Sequence, residues 1–386
     1  MLPKLSTRQK LALLERFSDP EDIFYTEKFD HLTDVPAEAA AALENKDLVQ
    51  AQKVLGTCGE KKIGILTFGD AGYPSRLRNI HEPPLVLYYK GILPDFENRP
   101  VIGVVGTRKA SAYGLHNARQ FSREIAACGG LVVSGGAYGI DTMALEGALQ
   151  AGKQTVAVLG CGVDVVYPRT NRALFTRIEE NGCLISEYLP GTGPKPWQFP
   201  ERNRIISGMS NGVLVVEAPE RSGALITAKN AFEQGREVFV IPGNIGVASG
   251  LGSNKLLQEY GGAVFSGWDV LKDYASQYPE TVQQQCVAET PTMPLQVAQS
   301  VKIPSFDKKD VDNPPHATYS VLDTENSQHS QKEQQVLACL DSIPRPVDEV
   351  IAGAGLPSSE VLGILTKLAL KGMVLNHPGR LVSARK

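Results

Sequence analysis

The chain has 386 residues, of which 42% are hydrophobic and 21% are charged, and its formal net charge is −3. This length suits two or three domains, and this composition predicts packed cores and excludes global disorder. The near-neutral charge excludes a protein that is basic over a whole face, so a nucleic-acid site would have to be a local groove.

The cysteines and histidines do not form a metal-binding pattern. The six cysteines include no C-x-x-C pair, and the six histidines show no H-x-x-x-H spacing. We therefore expect neither a zinc site nor another cofactor. The N-terminus lacks a signal peptide and no run approaches ~18 apolar residues, which predicts a cytoplasmic protein without a membrane span.

The first 60 residues have the pattern of short helices. The run "LSTRQKLALLERF" places apolar residues at helical spacing. The runs "SDPEDIF" and "DVPAEAAAAL" each combine a capping residue, such as Asp34, with a proline in the first turn. We expect a small helical N-terminal domain over residues 1–60.

Residues 61–274 have the pattern of an α/β domain. Strands are predicted at 62–68 and 85–89, followed by the apolar runs "VIGVVG", "LVVSGG", "TVAVLG", "CLISE", "GVLVVEA" and "EVFVIPG". Four helical segments between these runs end on a glycine, as left-handed helix caps do: Gly129, Gly152, Gly182 and Gly235. Apolar strands that alternate with amphipathic helices predict a doubly wound parallel sheet.

The C-terminal third has two parts. Residues 275–330 are rich in Gln, Pro, Ser and Thr, with seven acidic residues and three lysines, so we expect a mobile linker. Residues 331–386 predict three short helices followed by the two-stranded wing "VLNHPGRLVS", which is typical of a winged helix-turn-helix domain. Its seven basic and five acidic residues favour a protein-interaction role and leave DNA binding open.

Five glycine-containing stretches follow the predicted strands. They are "GTRKASAYG" (106–114), "SGGAYGID" (134–141), "GCGVDVVYP" (160–168), "PERNRIISG" (200–208) and "PERSGALITA" (219–228). Ligands of doubly wound sheets bind at the carboxyl ends of the strands, where glycines let the backbone approach an anion and arginine forks suit phosphate. The predicted DNA- or phosphate-binding residues are Gly106, Thr107, Arg108, Lys109, Ser134, Gly135, Gly136, Gly139, Arg202, Asn203, Arg204, Arg221, Ser222 and Gly223.

Each group also has a structural alternative. The glycines could serve only the tight turns, and Asp141 could cap the helix that follows it. Arg202 and Arg204 could form ion pairs with Glu187 or Glu217. Three aromatic residues could stack on bases or pack against the domain, namely Tyr113, Tyr138 and Phe199.

The same stretches lack the usual nucleotide and catalytic patterns. No G-x-G-x-x-G follows the first strand of the regular pattern, and no G-x-x-x-x-G-K-[ST] loop occurs. His116 is the one histidine near these stretches, and no Ser–His pair is apparent. The sequence therefore predicts a phosphate-binding edge and not an enzyme.

At these motifs the sequence resembles the DNA-processing protein A family (DprA, also called Smf). The resemblance covers residues 63–271, including "DAGYPSRLRNIHEPPLVLYYKG" and "GSNKLLQEYGGAVF". It implies an extended Rossmann fold, with accessory domains similar to SAM or helix-hairpin-helix domains at the N-terminus and to a winged helix at the C-terminus. The N-terminal part has no G-I-G hairpin, so we assign no DNA binding to it.

The resemblance implies a single-stranded-DNA-binding protein that protects incoming strands during natural transformation and passes them to the RecA recombinase. It further implies that Arg108 and the Arg221-Ser222-Gly223 turn match the family's DNA-contacting edge. It also implies a homodimer joined through the Rossmann domains. The run "NKLLQEYGGAVFSGW" contains the apolar residues Leu256, Leu257, Tyr260, Val264 and Phe265. Some of them could face a partner subunit, or all of them could belong to the core.

A second hypothesis is a nucleotide-processing enzyme. The family is similar in fold to lysine-decarboxylase-like phosphoribohydrolases, which carry a catalytic glutamate in the run P-G-G-x-G-T-x-x-E. Residues 219–229 here offer no such glutamate, which favours binding over hydrolysis. An enzyme of this class would have to use Glu201 or Asp141 at the same edge.

Overall fold

The computed structural model describes residues 5–17, 20–29, 35–46, 48–284, 331–341, 345–370, 373–377 and 381–384. Contacts divide the chain into two compact units, Met1–Gln296 and Val297–Lys386. Most of the predicted linker, residues 285–330, lies outside the described residues. Its first ten residues do not behave as a linker, because Tyr278 and Val282 are buried in the core of the first unit.

The first unit begins with four helices, which are α1 (Thr7–Arg16), α2 (Pro20–Tyr25), α3 (Ala37–Asn45) and α4 (Val49–Lys61). A capping box of Ser6 and Gln9 starts α1. The predicted cap Asp34 lies outside the described residues, and α3 begins after Pro36. Helix α4 reaches the α/β domain, where Lys61 forms an ion pair of 2.5 Å with Asp164.

The described residues of the first unit form a nine-stranded sheet in the order β1-β2-β6-β5-β4-β3-β7-β8-β9. Its strands are β1 (Gly64–Thr67), β2 (Val86–Gly91), β3 (Val101–Val105), β4 (Leu131–Ser134), β5 (Thr155–Val158), β6 (Gly182–Ser186), β7 (Gly212–Val215), β8 (Glu237–Val240) and β9 (Gly262–Ala263). Strands β3 to β9 pair in parallel, which confirms the predicted doubly wound sheet. The β1–β2 hairpin adds an antiparallel edge next to β6 that the sequence did not predict.

Helices cover both faces of this sheet. They are α5 (Ser75–Arg78), α6 (Ala112–Ala127), α7 (Ile140–Gln150), α8 (Arg172–Asn181), α9 (Gln198–Met209), α10 (Gly223–Glu233), α11 (Leu251–Glu259) and α12 (Gly267–Leu271), with short 3-10 turns at Arg169–Asn171, Ala248–Gly250 and Lys272–Tyr274. Alternate residues of β3 enter opposite cores: Val101 and Val105 join one cluster, whereas Ile102 and Val104 join the other. Burial on both faces explains why the strands read as continuous apolar runs.

Three of the four predicted helix-ending glycines adopt the left-handed conformation, with φ of +101° at Gly129, +67° at Gly152 and +71° at Gly235. Gly182 differs, since its φ of 163° is extended and it begins β6. A Cβ at Gly182 would lie 2.1 Å from the carbonyl oxygen of Thr155. Glycine is needed there for close approach to β5 and not for a left-handed helix cap.

The second unit has the winged-helix arrangement that the sequence predicted. Its elements are α13 (Gln331–Ala338), β10 (Arg345–Pro346), α14 (Val347–Ala354), α15 (Ser358–Leu370), β11 (Val374–His377) and β12 (Leu381–Ala384). Strands β11 and β12 pair as the antiparallel wing, and β10 adds a short third strand beside β12. The core of this unit includes Val336, Val350, Val361 and Leu368.

Among the helices that the structure describes, none combines the length and the hydropathy that a bilayer crossing requires.

Close packing of α6 on α7 leads to a stability prediction. A Cβ at Gly147 in α7 would lie 2.2 Å from the carbonyl oxygen of Arg119 in α6. We expect Gly147→Ala to lower the free energy of unfolding by about 1–3 kcal/mol, because the helices must separate to admit the methyl group. Urea denaturation of the full chain measures this change.

The matched control is Gly59→Ala in α4, where a Cβ would meet nothing within 4 Å. Alanine should be neutral there or stabilise by up to ~1 kcal/mol, because glycine is a poor helix former. Equal unfolding midpoints for the two variants would contradict the prediction.

Candidate anion-binding pocket

A pocket of about 580 Å³ lies at the carboxyl ends of the parallel strands. The chain leaves β3 toward β4 on one side and leaves β7 toward β8 on the other, so the strand order reverses between β3 and β7. Such a reversal opens a crevice in doubly wound sheets, and ligands bind in it. The turns after β3 and β7, the start of α7 and one side of α9 line this crevice.

Eight of the residues predicted to bind DNA or phosphate line the pocket. They are Gly106, Thr107, Arg108, Arg202, Asn203, Arg221, Ser222 and Gly223. The other six, Lys109, Ser134, Gly135, Gly136, Gly139 and Arg204, lie outside the lining. These eight residues come from three of the five predicted stretches, and the other two stretches contribute Ala137, Asp141 and Tyr167 to the lining.

The mouth of the pocket carries two exposed arginines, Arg108 and Arg221. The Arg108 guanidinium lies over the Phe199 ring, 5.1 Å from the ring centroid. This cation–π contact holds a mobile side chain over the pocket. Phe199 also packs against Tyr167, with 5.4 Å between the ring centroids.

Helix α10 begins at the pocket. The Ser222 hydroxyl is its N-cap and accepts a hydrogen bond of 3.3 Å from the Ala224 N–H. The next residue, Gly223, has open space around the position of a Cβ. The free N–H groups and the dipole of a helix start favour an anion at this point.

The floor of the pocket contains a buried acid and a buried base. Asp141 is 7% exposed and Arg202 is 3% exposed. Burial raises the pKa of the Asp141 carboxyl, although the Arg202 charge opposes this shift. Burial lowers the pKa of the Arg202 guanidinium, although Asp141 opposes that shift.

Backbone contacts position both groups. Arg202 Nη1 donates to the carbonyl oxygens of Gly135, at 2.7 Å, and Val158. The Asp141 carboxylate accepts a hydrogen bond of 3.3 Å from the Ala137 N–H. Asp141 is not the helix cap of the structural alternative, because Gly139 occupies the N-cap position of α7.

Arg204 faces away from the pocket. It donates two hydrogen bonds of 2.7 Å to the Glu187 carboxylate and one of 3.0 Å to the carbonyl oxygen of Glu82. Arg204 thus forms the ion pair with Glu187 that the sequence analysis gave as its structural alternative. Arg202 does not, because the groups to which it donates are not carboxylates. Glu217 instead accepts a hydrogen bond of 2.9 Å from the Ser111 N–H, which ties β7 to the start of α6.

The remaining predicted residues shape the turns behind the pocket. The Ser134 hydroxyl is buried and donates to the carbonyl oxygen of Val104 at 2.7 Å. Gly136 and Gly139 have φ of +65° and +76°, where other residues are strained. The Lys109 side chain is exposed outside the lining.

The stretch 200–208 belongs to helix α9, which the sequence analysis did not predict. Pro200 makes this helix difficult to predict from the sequence, because proline usually interrupts helices. The first turn of a helix tolerates proline, since the N–H groups of that turn have no partner within the helix. Residues that the sequence analysis did not assign to the site also line the pocket, including Tyr167, Pro194, Pro196 and Thr227. The sequence analysis included Tyr167 only as part of the third stretch, 160–168, and gave it no role.

The described residues contain no group of three or more His, Cys, Asp or Glu side chains that could hold a metal ion. Glu201 is exposed outside the pocket lining, 3.3 Å from the Tyr188 hydroxyl. His116 is exposed on α6, also outside the lining. The chemistry that the pocket itself offers is anion binding at its mouth and polar recognition at its floor.

Comparison with known protein families gives two matches along the chain. Residues 64–275 match the family model described as DNA recombination-mediator protein A. Residues 322–380 match the model of the DprA winged helix domain.

Curated relatives match much of the chain. Protein Smf of Synechocystis is 34% identical over 83% of this chain and 80% of its own length. Protein Smf of Escherichia coli is 35% identical over 81% of this chain and 75% of its own length. The DNA processing protein DprA of Bacillus subtilis is 39% identical over 61% of this chain and 80% of its own length.

Solved structures agree with these matches. DNA processing protein A from Streptococcus pneumoniae aligns with a TM-score of 0.57 at 39% identity, over 62% of this chain and 82% of its own. DNA processing protein A from Helicobacter pylori, whose structure addresses its single-stranded DNA binding mode, aligns with a TM-score of 0.51 at 27% identity, over 56% of this chain and 97% of its own. These matches confirm the resemblance seen in the sequence motifs: the chain belongs to the DNA recombination-mediator protein A family, whose members are the DNA-processing proteins DprA and Smf.

Proposed function

We propose that this protein binds single-stranded DNA at the pocket, protects incoming strands during natural transformation and loads the RecA recombinase on them. The observation that carries the DNA-binding part is the position of Arg108 and Arg221 at the mouth of a crevice that also contains the start of α10. The Helicobacter pylori relative, named for its single-stranded DNA binding mode, supports the same choice of ligand.

The mouth suits the phosphates of a DNA backbone. Both arginines are exposed, so their forks can reach phosphate oxygens that remain partly in water. The N–H groups at the start of α10 can bind the same kind of oxygen without reading sequence. A flexible single strand can bend into a concave pocket, whereas a duplex presents its phosphates on a rigid curve. The proposal therefore includes a preference for single strands.

We assign no catalytic activity to the pocket. Among the described residues of the lining, Asp141 is the only carboxylic acid, and it is buried against Arg202 at the floor. The alternative of a nucleotide-processing enzyme would need an acid that faces the ligand, because residues 219–229 have no counterpart of the glutamate that ends the run P-G-G-x-G-T-x-x-E. Glu201 lies outside the lining, which favours binding over hydrolysis.

The affinity for a single strand should depend on salt. For wild type we expect a log–log slope of about −0.7 for each neutralised phosphate. Arg108→Ala and Arg221→Ala should each weaken binding to every sequence alike and flatten the slope by up to about one unit. Fluorescence anisotropy with labelled oligonucleotides at several salt concentrations measures both effects.

The matched control is Arg123→Ala, which removes an exposed arginine of α6 that lies outside the lining. This variant should keep the wild-type affinity and slope. All three substitutions should leave the unfolding midpoint nearly unchanged, since the side chains are exposed. Equal affinity for duplex and single strand, or a slope that neither pocket variant alters, would refute the proposed site.

The homodimer is part of the proposal, and the outer edge at β9 supports it. Leu256 and Val264 are core residues, and Leu257 packs against the core. Phe265, by contrast, is 77% exposed. Tyr260 stacks on the exposed Phe232, with 4.5 Å between the ring centroids. An apolar set beside an edge strand is suited to a second copy of the chain.

We expect Phe265→Ala to weaken dimerisation about ten-fold or more, because aromatic anchors contribute most of the energy of an interface. Light scattering over a range of protein concentrations measures the dissociation constant. The control is Ile92→Ala, an exposed apolar residue directly after β2 near the other edge of the sheet. A wild-type monomer at micromolar concentration would reject the dimer.

Loading of RecA rests on the family and has its own test. The test uses single strands that are already coated by a single-strand-binding protein. Adding this protein should shorten the lag of DNA-dependent ATP hydrolysis by RecA, and Arg108→Ala should lose that effect in parallel with its DNA affinity. An unchanged lag with saturated DNA would remove RecA loading from the proposal and leave DNA binding intact.

A further inference from the structure

Two loops form part of the wall of the pocket. The loop after β5, residues 159–168, contributes Tyr167 to the lining. The loop between β6 and α9, residues 187–197, contributes Pro194 and Pro196. Neither loop is part of the hydrogen-bonded sheet, so their positions depend on contacts with other segments of the chain.

Both loops pack against α4, the last of the four N-terminal helices. Cys58 of α4 and Val163 of the first loop lie in one buried apolar cluster. Val54 of α4 and Leu189 of the second loop pack against that cluster. The N-terminal helices therefore support the wall of the pocket, although α4, which the structure describes in full, contributes no residue to the lining.

The Asp164 carboxylate joins α4 to both loops. Its side chain is 7% exposed. Its Oδ2 atom accepts a hydrogen bond of 2.5 Å from Nζ of Lys61 at the end of α4, and its Oδ1 atom accepts one of 2.7 Å from the Gly191 N–H in the second loop. Because Asp164 itself belongs to the first loop, one side chain connects three segments.

The packing around this carboxylate is close. A Cβ at Gly162 would lie 2.8 Å from Oδ1 of Asp164 and 2.8 Å from the carbonyl oxygen of Leu189. Burial by itself would raise the pKa of the Asp164 carboxyl, but the hydrogen bonds from Lys61 and from the Gly191 N–H hold that pKa below its usual value. The carboxylate is therefore charged at neutral pH, and neither loop can shift without breaking one of its bonds.

The aromatic residues beneath Arg108 depend on the same loops. Tyr167 lies three residues after Asp164 and packs against Phe199, over whose ring the Arg108 guanidinium lies. An arginine that is already held in one place loses less side-chain entropy when it binds a phosphate. A contiguous series of contacts thus runs from α4 through Asp164 to the mouth of the pocket.

We propose that Asp164 is a positioning residue that couples α4 to the pocket, because its bonds to Lys61 and Gly191 fix the two loops on which the position of Arg108 depends. This inference rests on the proposed function, since it concerns the binding of a single strand by Arg108. A movement of α4 would then change the affinity for the strand without any contact between α4 and the strand.

The first test measures the affinity of the full chain for a thymine oligonucleotide by fluorescence anisotropy. Lys61→Met removes the half-exposed partner of the ion pair and should weaken binding about three-fold, a size typical of coupling through a network of contacts. Lys61→Arg keeps the ion pair and should retain the wild-type affinity. The matched control is Lys53→Met, which removes an exposed lysine from the same helix and should also bind like wild type.

Asp164→Asn distinguishes positioning from an effect of charge. Asparagine keeps an oxygen for the Gly191 N–H but loses the charge that holds Lys61. Removal of a negative charge would by itself strengthen the binding of an anion. A positioning role predicts the opposite sign, with affinity about three-fold weaker than that of wild type. Tighter binding by Asp164→Asn would overturn the inference.

A double-mutant cycle shows whether the ion pair acts through Arg108. When Lys61→Met is added to Arg108→Ala, the affinity should not fall further, because the side chain that the ion pair positions is already absent. Fully additive losses would mean that Lys61 affects binding independently of Arg108, and the positioning role would be wrong.

Hydrogen exchange of the free protein tests the coupling without DNA. Lys61→Met should speed amide exchange in residues 159–168 and 187–197. The unfolding midpoint should remain nearly unchanged, because a partly exposed ion pair contributes little to global stability. Wild-type exchange rates in both loops would overturn the inference, and this readout does not require Asp164→Asn to fold.

The outcomes separate the two proposals. A wild-type chain that binds no strand would refute the proposed function, and hydrogen exchange would then decide by itself whether α4 fixes the loops. Equal affinities of wild type, Lys61→Met and Asp164→Asn would overturn the positioning role and leave the proposed function standing. Asp164 would in that case serve only the packing of α4 on the domain.

Discussion

Close backbone contact between the turns after β3 and β4 determines the shape of the pocket. A Cβ at Gly139 would lie 2.5 Å from the carbonyl oxygen of Thr107, and one at Gly106 would lie 2.4 Å from Cγ1 of Ile140. Larger residues would force the two turns apart. Because the turns touch, Arg108 is held at the mouth and Asp141 is held at the floor, so the two regions of the site depend on the same packing.

The pocket separates its charges by depth. Exposed arginines at the mouth can bind phosphate while they remain partly hydrated. Salt weakens such contacts, because it screens exposed charges. The buried pair at the floor is shielded from salt and can act only on a group that enters the cavity. The mouth and the floor therefore offer a ligand two different electrostatic environments.

The winged-helix unit uses its described charges in a different way. Lys367 of α15 forms an ion pair of 2.7 Å with Glu333, and Glu360 of α15 forms one of 2.5 Å with Lys332. Both ion pairs join α15 to α13, the helix on which it packs. These charges therefore serve the packing of the unit itself, whereas the exposed arginines of the pocket remain available to a ligand.

The sequence by itself determined the parallel strands, the family and the edge of the sheet that carries the pocket, because apolar runs, helical periods and glycine turns are local patterns. Only the tertiary structure separated Arg202 from Arg204. Side chains two residues apart on a helix point in nearly opposite directions. Arg202 of α9 therefore lies at the floor of the pocket, whereas Arg204 binds Glu187. The pairing of β2 with β6 and the burial of Asp141 near the Arg202 charge were likewise decided by contacts between distant segments, which no local pattern encodes.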